Sequence, residues 1–243
     1  MSSGIVEYAI KPWKRKDRAS CDQPQGRVLV MPGTGYTCDR PLLYWAAQML
    51  VQSGWHVDRL NVRITKDDLS QVTPVIETAI DEWHDSVVAQ AADAGLPRPR
   101  MLLIGKSLTT LAYAHACELG MPMALLTPVL NPAPFDLSSQ RIAVPGETTA
   151  AHGAPKLMQA SCEMPSAAPS GNAGSVYDAA RKPLICAGTA DPYYDADRAH
   201  ALTDDVHEFP DANHSIEVPG DWRRSLGYLS GVVDAIARYA AAL

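Results

Sequence analysis

The chain has 243 residues, of which 47% are hydrophobic and 20% are charged, and its formal net charge is −6. This length and composition suit one globular domain with a substantial core. A mildly acidic chain lacks the clustered Lys and Arg side chains that nucleic acids or anionic membranes attract, so we expect neither as a partner. The one basic cluster, at 11–18, is interpreted as a solvated hairpin or loop.

The sequence also lacks features of export and of membrane insertion. No segment approaches the ~18 uninterrupted apolar residues that a membrane span requires, and the first eight residues do not have the pattern of a signal peptide. The five cysteines are widely spaced and form no CxxC pair: Cys21, Cys38, Cys117, Cys162 and Cys186. This spacing favours neither a disulfide framework nor a zinc site. We therefore expect a soluble protein of the cytoplasm.

Strand-like and helix-like segments alternate from residue 27 onward. Short apolar runs predict strands, and apolar residues that recur every three and four positions predict helices. In chain order we predict a strand at 27–31, a helix at 41–51, a strand at 55–62, a helix at 72–92, a strand at 101–104, a helix at 108–119, strands at 123–129, 183–187 and 206–209, and a helix at 222–243. Residues 5–10 are a candidate antiparallel edge strand. The alternation predicts an α/β protein with a mostly parallel central sheet and helices on both faces.

One segment, between residues 131 and 182, interrupts this alternation. It is rich in Pro, Ser, Ala and Gly and has little periodicity. A connection of this length inside a compact domain is typically a lid, a binding loop or a disordered segment. Because the sequence shows no internal repeat and no second core, we predict a single domain over 1–243. A lid-like insertion at about 131–182 precedes the strand at 183–187.

A serine stands between a predicted strand and a predicted helix in the segment Ile-Gly-Lys-Ser-Leu-Thr at 104–109. Gly105 precedes Ser107 by two residues, as in the tight turn, or nucleophile elbow, that lifts a reactive hydroxyl out of the fold. Gly-Lys-Ser also ends the Walker A phosphate loop. That motif requires a further glycine where this chain has Arg100, and the strand leaves no room for a phosphate-binding loop. We therefore interpret Ser107 as a candidate nucleophile.

A serine nucleophile needs a histidine that takes its proton and a carboxylate that orients the histidine. On a parallel sheet these groups are expected after later strands, in the order Ser, Asp, His. Asp191 follows the strand at 183–187, and His214 follows the strand at 206–209. Three other carboxylates lie nearby and stay open as alternatives: Asp195, Asp197 and Asp211. We prefer Asp191 because it lies immediately beyond a strand end.

Acyl transfer also needs an oxyanion hole, in which two backbone N–H groups stabilise the negative charge that forms on the carbonyl oxygen. We predict that Leu108 supplies one N–H group, because it follows the nucleophile at the start of a helix. The second should come from the loop at 32–36, where glycines allow the backbone to approach a ligand closely. We favour the N–H group of Thr34, with Gly35 or Tyr36 as alternatives.

Motifs for other ligands were compared with the same residues, and they predict neither a nucleotide nor a metal. Gly33-Thr34-Gly35 begins a dinucleotide-binding motif, but the third glycine position is Cys38, so we do not predict a dinucleotide. His200, His207 and His214 are seven residues apart but fall on different elements, so no metal site is predicted and no cofactor is expected. Candidate residues for substrate contact are Gly35, Tyr36, Tyr193 and Tyr194.

With these features in this order, the chain resembles the α/β-hydrolase superfamily over residues 27–243. The resemblance implies that Ser107 is the nucleophile, that His214 is the general base and then the acid, and that Asp191 is the orienting carboxylate. The loop that begins at Pro32 is similar to one in some lipases, where a threonine supplies the oxyanion donor. The family's usual GxSxG motif ends in glycine, whereas this chain has Thr109, whose larger side chain is expected to shift the local fit.

We therefore predict a serine hydrolase that cleaves a carboxylic ester or a related acyl bond through an acyl-serine intermediate. The alternatives are a thioesterase, an amidase or an acyltransferase that uses the same residues, and a binding protein that has the fold without the activity. The expected partner is a small-molecule substrate. Neither the identity of that substrate nor the oligomeric state follows from the residues.

Overall fold

The computed structural model describes residues 7–13, 24–63, 69–131 and 181–243. The predicted insertion at about 131–182 lies outside the described residues except for its ends. Most of the basic cluster at 11–18 also lies outside them, as do Cys21 and Cys162. The assignment of a single domain over 1–243 therefore stays a prediction.

The elements of the described ranges follow one another in nearly the predicted order. They are β1 (Tyr8–Pro12), β2 (Arg27–Met31), α1 (Pro41–Gln52), β3 (His56–Val62), α2 (Leu69–Asp93), β4 (Met101–Lys106), a 3-10 helix (Ser107–Ala112), α3 (Tyr113–Glu118), β5 (Met123–Leu126), β6 (Leu184–Gly188), α4 (Ala196–Leu202), β7 (Val206–Phe209) and α5 (Trp222–Ala241). Two predictions need correction, and one element is new. The helix predicted at 108–119 is a 3-10 helix followed by a short α-helix, the strand predicted at 123–129 ends at Leu126, and α4 was not predicted.

The seven strands form one sheet in the order β1-β3-β2-β4-β5-β6-β7. β1 pairs antiparallel with β3, and every other neighbouring pair in this sheet is parallel. The candidate edge strand at 5–10 is therefore antiparallel, but it covers Tyr8–Pro12. The chain runs outward from β2 to β3 and then returns to β4 on the other side of β2. Open α/β sheets bind ligands at such a reversal, outside the carboxyl ends of the strands.

Helices cover both faces because the inner strands are apolar on both sides. On β2, Leu29 and Met31 belong to the core under α2, the 3-10 helix and α3. Val28 and Val30 alternate with them and belong to the core under α1 and α5. The side chains of a strand point alternately to the two faces of a sheet, so one short apolar run supplies both layers. The predicted α/β architecture is confirmed.

The loop after β7 packs directly on the end of β6. The N–H group of Thr189 donates to the Phe209 carbonyl at 3.0 Å, and that of Ala190 donates to the Ala212 carbonyl at 3.0 Å. A Cβ atom on Gly188 would overlap the main chain of Ala212. Glycine is required here by close packing, which brings the loop after β7 against the loop after β6.

Replacement of Gly188 by alanine should therefore separate these two loops. We expect Gly188→Ala to lower the free energy of unfolding by about 1–3 kcal/mol, as overpacked positions do. Gly227→Ala is the matched control, because an added Cβ on this α5 residue meets nothing within 4 Å. Alanine favours a helix over glycine by about 1 kcal/mol, so this variant should be more stable than the parent. Equal unfolding free energies of the two variants in urea titrations would contradict the packing argument.

Candidate active site

Ser107 has a backbone conformation that is rare for a residue with a side chain. It lies between β4, whose residues are all buried, and the 3-10 helix, and its φ angle is +56°. This left-handed residue turns the chain sharply, and the serine side chain stays partly exposed at the end of the sheet. Such a conformation costs about 1–3 kcal/mol and is found mainly at functional sites. The tight turn predicted at Ser107 is therefore present, and a strained residue forms it.

Two glycines make room for the turn at Ser107. A Cβ atom on Gly105 would lie 2.5 Å from the Met123 side chain and 3.3 Å from the main chain of Thr109. A Cβ atom on Gly33 would lie 3.0 Å from the Ser107 Cβ atom and 3.1 Å from the Lys106 carbonyl oxygen. The loop after β2 therefore touches the turn after β4 without an intervening side chain.

Ser107, His214 and Asp191 form one hydrogen-bonded chain. The Ser107 Oγ atom lies 2.7 Å from His214 Nε2, and His214 Nδ1 lies 2.7 Å from Asp191 Oδ2. The second carboxylate oxygen of Asp191 accepts a hydrogen bond from the Tyr193 N–H group at 3.0 Å. The Asp191 side chain is fully buried, whereas that of His214 is 27% exposed. A hydroxyl, an imidazole and a buried carboxylate in this order suit proton transfer from the serine.

The three alternative carboxylates are engaged elsewhere or lie at the surface. Asp195 caps α4 and accepts a hydrogen bond from the Arg198 N–H group at 3.0 Å. Asp211 pairs with the Arg224 guanidinium at 2.9 Å. Asp197 is exposed in the first turn of α4. Of these four aspartates, all of which the structure describes, Asp191 is the one that bonds to His214.

The loop after β2 forms a tight turn with its tip near the elbow. The Gly33 N–H group donates to the Tyr36 carbonyl at 2.9 Å, and the Tyr36 N–H group donates to the Gly33 carbonyl at 3.1 Å. Because the Tyr36 N–H group is already bonded within the turn, Tyr36 is a poor candidate for the oxyanion donor. The Thr34 N–H group forms no hydrogen bond within the part of the chain that the structure describes. Leu108 follows Ser107 in the first turn of the 3-10 helix, where N–H groups have no partner inside the helix.

Solved structures with the same architecture show which fold this is. An α/β serine hydrolase homologue from Coxiella burnetii matches with a TM-score of 0.54 and 13% identity, over 96% of this chain and 91% of that chain. Est1E from Butyrivibrio proteoclasticus, in a structure with bound ferulic acid, matches with a TM-score of 0.53 and 14% identity, over 96% of this chain and 94% of that chain. The chain has the α/β-hydrolase fold. No protein-family model and no curated protein matches the sequence.

Thr109 takes the place of the last glycine in the elbow motif of the α/β-hydrolase fold. Its side chain is fully buried, and its Oγ1 atom accepts a hydrogen bond from the Lys106 N–H group at 2.9 Å. The same hydroxyl lies 3.1 Å from the Lys106 carbonyl oxygen, to which it donates. The larger side chain is thus part of the turn, and Ser107 still lies within hydrogen-bond distance of His214.

The predicted substrate-contact tyrosines differ in their surroundings. The Tyr193 ring packs against the His214 ring with centroids 4.9 Å apart, and burial, followed by the charge of Asp191, raises the pKa of Tyr193. The Tyr36 hydroxyl accepts a hydrogen bond from the Leu42 N–H group at 3.0 Å. Tyr194 donates to Glu208 on β7 at 2.7 Å. Contact of Tyr36, Tyr193 or Gly35 with a substrate stays a prediction.

Lys106 is the residue of the site to which sequence reasoning assigned no function. Its side chain is fully buried, and its ammonium group donates to Thr127 Oγ1 and to the His214 carbonyl, each at 3.0 Å. Burial lowers the pKa of Lys106 to about 8, while the charge of Asp191 acts in the opposite direction. The signal in the sequence was a lysine at the end of an otherwise apolar strand.

Two hollows border the loops of the site. One, of about 530 Å³, lies beside the loop after β2 and is lined in part by Gly33, Tyr36 and Leu60. The other, of about 730 Å³, lies beside the His214 loop and is lined in part by Asn213, Ile216 and the exposed Trp222. Both have the size of small-molecule sites.

The described ranges have neither a cluster of metal ligands nor a membrane-spanning helix. They contain no group of three His, Cys, Asp or Glu side chains placed to hold a metal ion. No helix in them combines the length and the apolar character that crossing a membrane requires.

Thr109 provides a test of the elbow that does not depend on activity. Thr109→Val keeps the shape of the side chain but removes the acceptor of the Lys106 N–H group, so we expect the free energy of unfolding to fall by about 1–3 kcal/mol. Thr109→Ser keeps the hydroxyl and should lose only about 1 kcal/mol for the missing methyl group. Chemical denaturation measures both values. A Thr109→Val protein as stable as the parent would show that the hydroxyl does not support the turn.

Proposed function

We propose that the chain is a serine hydrolase that cleaves a carboxylic ester or a related acyl bond through an acyl-serine intermediate. The observation that carries the proposal is the hydrogen-bonded chain from Ser107 through His214 to Asp191. It lies at the carboxyl end of the sheet in an α/β-hydrolase fold, beside the reversal of strand order. A small-molecule substrate is part of the proposal.

In the first half of the reaction, the Ser107 Oγ atom forms a bond to the carbonyl carbon of the substrate. His214 Nε2 takes the hydroxyl proton as this bond forms, because it lies 2.7 Å from the attacking oxygen. Asp191 bonds to the other ring nitrogen, which fixes the tautomer of His214 and stabilises the imidazolium. The proton then moves to the leaving oxygen as its bond to carbon breaks, and the acyl group remains on Ser107.

In the second half, water takes the place of the leaving alcohol. His214 removes a proton from the water, the water oxygen attacks the acyl carbon, and the proton returns to Ser107 as the ester bond breaks. In both halves the carbonyl oxygen becomes negatively charged. We assign its stabilisation to the N–H groups of Leu108 and Thr34, each of which would contribute about 3 kcal/mol in the transition state.

The related reactions use the same groups. A thioester or an amide differs from an ester in the atom that leaves with the proton, so a thioesterase or an amidase is the next candidate. In an acyltransferase another nucleophile takes the place of water in the second half of the reaction. A binding protein without activity is less well supported. Binding alone would require neither the strained backbone of Ser107 nor a buried carboxylate behind His214.

Removal of the Ser107 hydroxyl should abolish the reaction. We expect Ser107→Ala to lower the rate of p-nitrophenyl ester hydrolysis by on the order of 10⁴-fold or more, because the nucleophile is lost. A fluorophosphonate probe should label the parent protein at Ser107, as located by mass spectrometry. Ser53→Ala is the matched control, because this residue follows α1 and is exposed. Undiminished hydrolysis by Ser107→Ala, or an unlabelled parent protein, would refute the proposal.

The assignment of the carboxylate has its own test. Asp191→Asn should lower kcat by about 10⁴-fold, because an amide in this place favours the wrong tautomer of the histidine. Asp211→Asn makes the same chemical change at an exposed residue that pairs with Arg224, and we expect it to keep nearly the full rate. Steady-state kinetics on both variants decides the question. A large loss in Asp211→Asn with little loss in Asp191→Asn would assign the carboxylate to Asp211.

A further inference from the structure

The ammonium group of Lys106 is surrounded by partners from three other strand ends. It donates to Thr127 Oγ1, after β5, and to the His214 carbonyl, after β7. It also lies 4.5 Å from the centre of the Tyr36 ring, in the loop after β2. Lys106 itself ends β4 and immediately precedes Ser107. One positively charged group therefore connects the serine to three loops of the site.

Fold stability does not explain this arrangement. An ammonium group that loses its water shell is costly unless hydrogen bonds and charges replace the water, and an apolar side chain of similar volume avoids that cost. The partners of Lys106 are neutral acceptors and an aromatic face. Asp191 is a carboxylate whose charge acts on the ammonium group, but it bonds to His214. A buried lysine at this position is therefore better explained by the loops that it positions than by a contribution to the free energy of unfolding.

The hydrogen bond to the His214 carbonyl connects Lys106 to the proposed general base. Lys106 holds the main-chain carbonyl of His214, while the imidazole of the same residue bonds to Ser107. Because Lys106 and Ser107 are adjacent in the chain, the ammonium contact restrains the distance between the base and the nucleophile. Misplacement of reacting groups by about 1 Å can lower a rate by on the order of 10²-fold.

We propose that Lys106 is a positioning residue whose charged ammonium group keeps His214 at the distance from Ser107 that proton transfer requires. The inference rests on the proposed serine hydrolase function, and it assigns Lys106 no direct contact with the substrate. A charged ammonium group has three N–H donors, and its hydrogen bonds are about twice as strong as those of a neutral amine. Loss of the proton should therefore loosen His214 and slow the attack of Ser107.

The pH dependence follows from the groups around Lys106. Among the described residues, the titratable groups that face it are Tyr36, Asp191 and His214, and Tyr36 in turn lies in the field of Glu217 and Arg40. Lys106 is charged below its pKa of about 8 and neutral above it. Reactivity of Ser107 should therefore fall as the pH rises through about 8.

The rate of fluorophosphonate labelling tests this inference without knowledge of the natural substrate. In the parent protein we expect the labelling rate to fall several-fold as the pH rises through about 8. In Lys106→Met we expect a labelling rate about 10- to 100-fold lower at neutral pH. The fall in rate near pH 8, called the step below, should be absent from this variant.

Two further variants make the test specific. Lys182→Met removes an exposed lysine that pairs with Asp204, and it should change neither the rate nor the step. Thr127→Val removes one acceptor of the ammonium group and leaves its bond to the His214 carbonyl. A lost hydrogen bond to the charged form lowers the pKa, so the step should move to lower pH. This variant decides the matter if Lys106→Met does not fold.

The outcomes separate this inference from the proposed function. A parent protein that is not labelled at any pH overturns both. Labelling of Lys106→Met at the parent rate overturns the positioning role and leaves the serine hydrolase intact. A slower Lys106→Met protein that keeps the step near pH 8 would show that another group titrates and that Lys106 only supports the fold. An unchanged step in Thr127→Val would likewise overturn the inference.

Discussion

The left-handed backbone of Ser107 is the constraint on which the site depends. A φ angle of +56° costs free energy in any residue with a side chain, and the surrounding residues must compensate for it. Gly105 and Gly33 leave the space that the turn occupies, and Thr109 closes it with hydrogen bonds to both main-chain polar groups of Lys106. We expect that removal of any of these supports lets the chain relax toward an ordinary strand-to-helix connection and turns the hydroxyl away from His214.

The sheet determines where the partners of Ser107 lie. Because β2, β4, β5, β6 and β7 are parallel, the loops that follow them meet at one edge. The loop after β6 brings Asp191 and the loop after β7 brings His214, so residues far apart in the chain become neighbours. The close packing of Gly188 on Ala212 sets the spacing between these two loops. The geometry of the site is thus a consequence of parallel pairing and of one glycine contact.

Much of this arrangement could be predicted from the sequence, because its signals are local. Ser107, Asp191 and His214 each follow an apolar run, and a parallel sheet brings such positions together. The 3-10 helix at Ser107–Ala112 could not be distinguished from an α-helix, since both place apolar residues three positions apart. The end of β5 was missed because it depends on the backbone of Thr127, whose φ angle is +44°. Composition shows no sign of such a conformation in a β-branched residue.

The contacts of Lys106 and Thr109 could not be predicted from the sequence for a different reason. Lys106 contacts three loops that are distant in the chain. The Thr109 hydroxyl accepts from the Lys106 N–H group within the turn and also lies 3.4 Å from the Met31 carbonyl oxygen of β2. A lysine after an apolar strand is ordinarily expected to reach solvent, and a threonine in place of glycine is ordinarily expected to disturb a tight turn. Both expectations follow from local rules. Natural sequences depart from local rules mainly where function requires it.

Backbone strain in the described residues is also concentrated at one edge of the sheet. In the described ranges, the residues other than glycine that have a positive φ angle are Ser107, Thr127, Asp211 and Ile216. All four lie in the connections after β4, β5 and β7, at the edge of the sheet where Ser107 meets His214. The helices and strands elsewhere follow ordinary apolar patterns and form the two cores. The described fold therefore places these strained residues at the edge where it also buries Lys106 and the Asp191 carboxylate, which is the edge where the proposed function requires groups to be held in place.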